Sequence, residues 1–229
     1  MKIVIIHGQN HKGSTYHIAR MLAEKIKGDI KEFFLPRDFG EFCVGCTKCF
    51  MESEKKCPHY EKLRPLTDAM DEADVIILAS PVYVYHVTGA MKTFLDHYGY
   101  RWMVHRPQGS MFRKQGVCIS TAAGAGMKPT NKDMVDSLFF WGVAKRYQYG
   151  VRVAAVNWNG VSEKKKCAID KATSGIAKKI VNNSKHVKPG IKTRAMFWAM
   201  HFAQRKGFNP CDAEYWKSKG WTGKKRPWK

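Results

Sequence analysis

Short apolar runs without polar alternation constrain the fold of this 229-residue chain more than any other feature. The clearest are Lys2–His7 (KIVIIH), residues 75–79 (VIILA) and residues 116–120 (GVCIS), and a segment with helical spacing of apolar residues follows each of them. A strand that is apolar on both faces must be buried on both faces, which is typical of a parallel sheet covered by helices. The sequence therefore predicts an α/β fold with a doubly wound parallel sheet.

Two further strands complete the predicted sheet. One is expected at Asp29–Phe34 and the other within residues 147–156, so that five parallel strands alternate with helices. Residues 43–57 interrupt this alternation between the second and third strands. Ligands of such sheets bind at the carboxyl ends of the strands. The expected helices are, in chain order, a segment with Ile18, Leu22 and Ile26 on one face, and then residues 88–98, 131–143, 162–181, 191–206 and 212–219.

The composition of the chain changes near residue 185. Residues 1–184 hold the predicted sheet and would form one domain, whereas residues 185–229 form a basic extension with four of the seven tryptophans. The extension has twelve Lys and Arg residues against two acidic ones, in a chain of net charge +21. Such an excess indicates an acidic partner, nucleic acid or an anionic membrane surface, although a plain basic surface explains it equally well.

The extension also contains a helical apolar stripe, formed by Ile191, Ala195, Trp198 and Phe202. We expect this stripe to pack against the domain or against a second subunit. The apolar stretch 195–203 is too short to span a bilayer, and the first ten residues do not have the pattern of a signal peptide. The cytoplasm is therefore the expected compartment, where closely spaced cysteines favour metal or redox chemistry over disulfides.

The loop after the first strand reads GQNHKGST, from Gly8 to Thr15. Its spacing resembles a P-loop, but Ser14 occupies the position of the lysine that contacts the β- and γ-phosphates, which argues against an ATPase or kinase. Backbone amides and hydroxyls at a helix N-terminus nevertheless suit a single terminal phosphate, and Lys12 would add positive charge. The alternative is an ordinary turn that caps a helix.

The loops after the third and fourth strands suit a flat ring. The third strand runs into SPVYVY (residues 80–85), where proline stiffens the chain and aromatic side chains follow. The fourth gives way to TAAGAG (residues 121–126), whose small residues allow a ligand to approach the backbone. Each loop alone is more often a simple connection than a site, but the three together suit the binding of a mononucleotide with a large ring system.

At this point the sequence resembles a known family. SPVYVYHVTGAMKTFLDH is similar to the S-P-V-Y…K-x-F-x-D segment of flavodoxin-like NAD(P)H-dependent FMN reductases, and GQNHKGST is similar to their FMN-phosphate loop. TDAMDEADVIILASPVY matches the way such chains enter the third strand. The resemblance covers about residues 1–180. It implies a flavodoxin-like sheet of five parallel strands, FMN at its carboxyl edge, NAD(P)H as the reductant and a homodimer whose partner chain helps to cover the flavin.

The same resemblance, carried over by position, assigns residues to the FMN. Two features depart from the family: Gln9-Asn10-His11 stands where small or arginine residues are usual, and the positive charge differs from the acidic flavodoxin-type carriers. The residues expected to bind FMN are Gln9, Asn10, Lys12, Ser14 and Thr15 at the phosphate, Pro81, Val82, Tyr83, Val84 and Tyr85 at the isoalloxazine, and Thr121, Ala122, Ala123, Gly124 and Gly126 at its polar edge.

Four of the seven cysteines, Cys43, Cys46, Cys49 and Cys57, lie within fifteen residues. Their spacing resembles the C-x2-C-x2-C-x(4–7)-C motif of the iron–sulfur flavoprotein branch of this family, which implies a [4Fe–4S] cluster. Two alternatives stay open. One is a tetrahedral zinc site, and the other is a set of unligated thiols in a loop over the flavin, as in family members without a cluster.

The sequence thus predicts an FMN-dependent oxidoreductase that passes electrons from NAD(P)H, or from a reduced protein carrier, through flavin to a quinone-like or other small acceptor. The alternative is an iron–sulfur flavoprotein that exchanges single electrons with an acidic ferredoxin, which a basic surface would attract. We expect no catalytic side chain, because the cofactor carries the chemistry. Nucleic acid, the third possibility, is not the expected partner.

Overall fold

A five-stranded, all-parallel sheet forms the centre of the computed structural model, which describes all 229 residues. The strand order is β2-β1-β3-β4-β5, which is the order of a doubly wound flavodoxin-like sheet. The fold predicted from the apolar runs is therefore confirmed. The strands are β1 (Lys2–His7), β2 (Asp29–Phe34), β3 (Val75–Pro81), β4 (Gln115–Ala122) and β5 (Lys145–Arg152).

Eight α-helices surround or extend this sheet. They are α1 (Ser14–Ile26), α2 (Lys48–Met51), α3 (Tyr60–Glu72), α4 (Gly89–Asp96), α5 (Met127–Phe140), α6 (Glu163–Asn183), α7 (Ile191–Lys206) and α8 (Pro210–Ser218).

Alternate residues of each strand point into two separate cores, and β1 shows this most clearly. Ile3 and Ile5 join the core that α1 and α6 cover, whereas Val4 and Ile6 join the core that α3, α4 and α5 cover. All four side chains are almost completely buried. Because helices cover both faces of the sheet, ligands can reach it only at the loops that follow the strand ends.

The predicted elements agree with the structure at β1, β2 and α7, whose bounds are the expected ones. The start of α5 is the largest difference, because this helix begins at Met127 directly after Gly126 and not at Asn131. The sequence analysis also assigned no helix between the cysteine segment and β3. The structure has α3 there, with Pro65 inside it. A proline within a helix weakens the local helical signal, which is why the pattern did not predict it.

The extension packs on the sheet domain through its own small core. Phe197, Trp216 and Trp221 from the extension are buried against Met103 and Phe112, which precede β4 in the chain. The two predicted regions are therefore joined by a continuous apolar contact.

The α7 stripe does not pack against the domain, so of the two predicted alternatives only packing against a second subunit stays a prediction. Ile191 is 87% exposed, and Trp198 and Phe202 are 43% and 56% exposed. The face of α7 that packs inward is the one carrying Phe197 and His201. Residues 191, 195, 198 and 202 form a regular apolar stripe, so the sequence pattern could not show that the extension uses another face of the helix. No helix is long and apolar enough to cross a membrane.

Candidate functional site

A cleft lies at the carboxyl edge of the sheet, where the loops after β1, β3, β4 and β5 meet. Nine of the residues predicted to bind a cofactor line it: Gln9, Ser14, Thr15, Pro81, Val82, Tyr83, Thr121, Ala122 and Ala123. The other six, Asn10, Lys12, Val84, Tyr85, Gly124 and Gly126, lie in the same loops but outside the lining.

The N-terminus of α1 offers free backbone amides to the cleft. Gly13 precedes the helix and has no side chain to cap it, and no acidic residue lies in the first turn. The amides of Ser14, Thr15 and Tyr16 have no acceptor within the chain, whereas that of His17 already donates to the Gly13 carbonyl at 3.2 Å. Unpaired amides at the positive end of a helix form a binding site for an anion.

Hydrogen bonds fix the three loops relative to one another. Thr15 Oγ1 and Thr121 Oγ1 are 2.6 Å apart and buried, so they tie the first loop to the fourth strand. Gln9 Nε2 donates to the Tyr83 hydroxyl at 2.5 Å, which ties the first loop to the loop after β3. Thr88 Oγ1 donates to the Gly8 carbonyl at 2.5 Å. These hydrogen bonds between the segments that follow β1, β3 and β4 thus fix the cleft.

The loop after β3 contains a tight and strained turn. Tyr83 and His86 exchange backbone hydrogen bonds of 2.9 and 3.0 Å around Val84 and Tyr85. Both turn residues have positive φ, +48° for Val84 and +67° for Tyr85, although a β-branched residue disfavours this region. Val84 and Tyr85 are 94% and 61% exposed. The chain therefore holds two apolar side chains in solvent beside the cleft.

Gly126 packs closely against this turn. Its φ is +97°, and a Cβ there would lie 2.6 Å from Val82 Cγ1 and 3.2 Å from Tyr85 Cα. Only glycine fits this position, for steric as well as conformational reasons. Gly126 thus contributes to the cleft by packing against the turn and not by lining the cleft.

The sequence analysis missed eight lining residues: His7, His11, Gly13, Tyr16, Ala79, Val153, Ala155 and Val156. His7 ends β1 and is buried, its Nε2 donating to the Glu32 carboxylate at 2.9 Å, while Arg20 donates to the same carboxylate at 2.8 Å. Burial lowers the pKa of His7, and the hydrogen bond to Glu32 opposes this shift only in part. The sequence signal that could have placed His7 in the cleft was a histidine at the carboxyl end of an apolar strand.

The four clustered cysteines occupy a segment between β2 and α3 that is partly exposed. Cys43 and Cys46 are exposed, while Cys49 and Cys57 are half-buried. Burial raises the pKa of the Cys49 thiol to about 11, and the nearby thiols of Cys57, Cys43 and Cys46 add to the shift. The structure therefore brings the four thiols into one neighbourhood, and none of them forms a disulfide.

The extension and the loop after α4 hold this cysteine segment in place. Arg106 donates to the backbone carbonyls of Cys49 and Phe50, and it pairs with the buried carboxylate of Asp212 at 2.6 Å. Asn209 Nδ2 donates to the same Phe50 carbonyl at 3.2 Å. The N-cap of α8 thus contacts the cysteine segment although more than 150 residues separate the two in the chain.

Comparison with known proteins identifies a family. Residues 1–154 match the family described as NADPH-dependent FMN reductase. Over 88 residues, the chain is 39% identical to an iron-sulfur flavoprotein of Archaeoglobus fulgidus, a match that covers 37% of this chain and 36% of the relative. Over 130 residues it is 30% identical to an NADPH azoreductase of a Bacillus species, covering 55% of this chain and 61% of the relative. The chain thus spans less than two thirds of the length of these relatives.

Solved structures show the same fold at low sequence identity. An FMN-dependent NADH-azoreductase from Bacillus anthracis, determined in complex with FMN, superposes with a TM-score of 0.56 and 12% identity. The match covers 77% of this chain and the whole of that chain. At this identity the likeness concerns the fold alone.

Proposed function

Because this chain belongs to the NADPH-dependent FMN reductase family, we propose that it is an FMN-dependent oxidoreductase that moves electrons from NAD(P)H through flavin to a quinone-like or other small acceptor. The observation that carries the proposal is the position of the free amides at the N-terminus of α1. They face a cleft at the carboxyl edge of the sheet, next to a wall of apolar and aromatic side chains. An anion site beside an apolar wall suits a phosphorylated ring compound.

The first loop would hold the phosphate. The amides of Ser14, Thr15 and Tyr16 are unpaired, and the Ser14 and Thr15 side chains add hydroxyls at the same helix end. Lys12 is exposed at the loop and would contribute positive charge rather than a fixed contact. These donors fit a terminal phosphate monoester such as that of FMN.

The loops after β3, β4 and β5 would hold the isoalloxazine ring. Pro81, Val82 and Tyr83 form one apolar wall of the cleft, and Ala122 and Ala123 leave room for close approach to the backbone. The bound flavin would supply hydride and single-electron chemistry, as the cofactor does in flavoproteins generally. The residues of the chain would orient the ring and exclude water, and none of them needs to act as a general acid or base.

The exposed apolar rim supports the homodimer in this proposal. Val156 lines the cleft and is fully exposed, and Val84 and Tyr85 are exposed in the loop after β3, which also contributes to the lining. Exposed apolar side chains beside a cleft favour a contact surface. A second copy seated there would cover the flavin while leaving space for NAD(P)H. The cytoplasm remains the expected compartment.

The proposal is tested by titrating the purified protein with FMN and with riboflavin, which lacks the phosphate. We expect tight binding of FMN, markedly weaker binding of riboflavin and oxidation of NAD(P)H only with FMN bound. A colourless protein that leaves the FMN spectrum and fluorescence unchanged would contradict it. Equal affinity for FMN and riboflavin would contradict the phosphate assignment alone.

A second candidate function is electron exchange through a [4Fe–4S] cluster on Cys43, Cys46, Cys49 and Cys57. Two observations favour it: the four thiols are neighbours, and curated relatives include proteins named as iron-sulfur flavoproteins. A cluster would supply single-electron transfer, and the net charge of +21 would attract an acidic ferredoxin. Anaerobic purification with iron and acid-labile sulfide assays tests it. Iron that disappears in Cys46→Ser while FMN binding persists would support the cluster.

Nucleic acid is not part of the proposal. Binding of single strands needs exposed aromatic rings among basic residues. Trp216 and Trp221 of the extension are buried in the core they share with Phe112 and cannot stack on bases. Trp198 is accessible, but the guanidinium of Arg226 lies over its ring at 4.1 Å.

A further inference from the structure

Two histidines lie beside Cys57, the last residue of the cysteine motif. His59 directly precedes α3 and His97 directly follows α4, so two neighbouring helices bring them together. The Cys57 thiol and one ring nitrogen of each histidine all lie within 4.8 Å of one another. No sequence motif links residue 97 to the cysteine segment, so only the fold brings this group together.

The ring of His97 is oriented as in a metal ligand. Its Nδ1 donates to the Thr93 carbonyl at 2.8 Å, which leaves the lone pair on Nε2. Nε2 accepts a hydrogen bond from His59 Nδ1 at 2.9 Å, and a bound ion would replace this hydrogen bond. The ring is buried, and the Phe39 ring packs edge-on against it at 4.8 Å. A fixed second nitrogen and a buried ring are the features that orient histidines around an ion.

We propose that Cys57, His59 and His97 bind one divalent ion of the zinc class. A thiolate and two neutral imidazoles are the ligands that zinc prefers, and three protein ligands leave a fourth position for water. In a tetrahedral site, Zn–N and Zn–S bonds of about 2.0–2.3 Å place the ligand atoms roughly 3.3–3.6 Å apart. The two histidine nitrogens need to separate by only a few tenths of an ångström. His59 can move, because it lies in the turn before α3, whereas His97 is anchored.

One acidic side chain, Glu41, interacts electrostatically with both histidines, but it also forms an ion pair with Lys62, so the proposal depends on the ligand geometry and not on the surrounding charge. The ion would connect the cysteine segment to α4, in addition to the contacts that Arg106 makes with the same segment.

This ion and a four-cysteine cluster exclude each other, because both need the Cys57 thiolate. Their ligand sets differ otherwise. The single ion requires His59 and His97 and does not use Cys43 or Cys46, whereas the cluster requires all four cysteines and neither histidine. The inference does not depend on FMN, since none of its residues lines the cleft.

The experiment compares metal binding by the full chain and five variants. Each protein is reduced, freed of metal with a chelator and titrated anaerobically with Zn²⁺ and with Co²⁺, whose thiolate charge-transfer and visible bands report tetrahedral sulfur coordination. The test variants are Cys57→Ser, His59→Gln and His97→Gln, and the matched controls are Cys43→Ser and Cys46→Ser. The far-UV circular dichroism spectrum and the midpoint of urea unfolding serve as the folding control in every variant.

We expect one Co²⁺ per chain, displaced by Zn²⁺, in the unmodified protein and in both control variants. Each test variant should bind the ion at least 100-fold more weakly with an unchanged circular dichroism spectrum; His59→Gln decides the matter if His97→Gln fails to fold. Two results would overturn the proposal. One is the absence of stoichiometric Co²⁺ binding. The other is a sulfide-containing iron centre that needs Cys43 and Cys46 and survives His59→Gln.

Discussion

The cleft and the cysteine segment are built in different ways, although both follow strands of the same sheet. The cleft consists of short loops that directly follow strand ends, and its internal contacts join these loops to one another, such as Gln9 with Tyr83. The cysteine segment is a long insertion that is held by the side chains of Arg106 and Asn209, and Asp212 holds Arg106 in turn. The first region is a consequence of the fold, whereas the second depends on a few distant side chains.

This difference has an energetic consequence. The cleft is disrupted only when the strand ends move, and those are part of two large cores. The segment depends on a buried ion pair, and breaking such a pair leaves an uncompensated charge. Local opening is expected first where few buried contacts hold a region. The two regions should therefore respond separately to substitution.

The largest expected effect is that of Asp212→Asn. Asp212 is 1% exposed and accepts hydrogen bonds from Arg106 at 2.6 Å and from His105 at 2.7 Å. Removing its charge leaves the buried Arg106 guanidinium without a counter-charge, although the Cys49 and Phe50 carbonyls still accept its hydrogen bonds, and the broken ion pair costs up to about 3–5 kcal/mol. We expect a lower free energy of unfolding in urea, faster alkylation of Cys49 and unchanged FMN affinity.

The matched control is Asp136→Asn, which breaks the exposed ion pair with Lys132. An exposed pair contributes little, so the free energy of unfolding should change by about 0.5 kcal/mol or less. If Asp212→Asn weakened FMN binding as much as it exposed Cys49, the two regions would not be independent, and the comparison would fail.

The second prediction concerns the cleft. In Gly126→Ala, the new methyl group would lie 2.6 Å from Val82 Cγ1, at a φ of +97° that alanine disfavours. The strain costs about 1–2 kcal/mol, and the turn of Val84 and Tyr85 must move. We expect FMN affinity to fall about tenfold, which corresponds to about 1.4 kcal/mol, while Cys49 alkylation stays unchanged.

Gly124→Ala is the control for this substitution. Gly124 lies two residues earlier in the same loop, and nothing lies within 4 Å of a Cβ placed there. Its FMN affinity should match that of the unmodified protein. Equal losses in both variants would show that the loop backbone, and not the contact with Val82, sets the affinity.

The same contrast explains how much the sequence could predict. The sheet and the loops of the cleft were predictable because an apolar strand, a glycine-rich turn and a helix start are local patterns. The lining residues in the segment 153–156 were missed because they follow β5. The side chains of β5 alternate between exposed and less exposed positions, so the sequence did not show where this strand ends. The pairing of Arg106 with Asp212 leaves no local signal, since either charge alone is typical of a surface. Only the packing of the extension brings them together.

The third prediction is a pH dependence that belongs to the cleft. Burial lowers the pKa of His7 from its ordinary value of about 6.5. Below that value the unfolded chain binds a proton that the folded chain does not, so stability falls as the pH decreases toward the folded pKa. The contribution of one histidine is at most about 1.4 kcal/mol per pH unit. In His7→Gln, the free energy of unfolding should decrease less between pH 6.5 and pH 5; an identical pH profile would remove this role.

The smallest expected effect tests whether the loops of the cleft act together. The Tyr83 hydroxyl accepts a hydrogen bond of 2.5 Å from Gln9, and Tyr83→Phe removes it while keeping the ring. Because Tyr83 is 45% exposed, water replaces the lost partner and the cost is about 0.5–1 kcal/mol. FMN affinity should fall about two- to fivefold by fluorescence titration, since the first loop loses its tie to the loop after β3. The control is Tyr85→Phe, whose hydroxyl donates no hydrogen bond within the chain and whose removal should leave the affinity unchanged. If the two substitutions lowered the affinity equally, a contact of each hydroxyl with the ligand, and not the tie between the loops, would explain the loss.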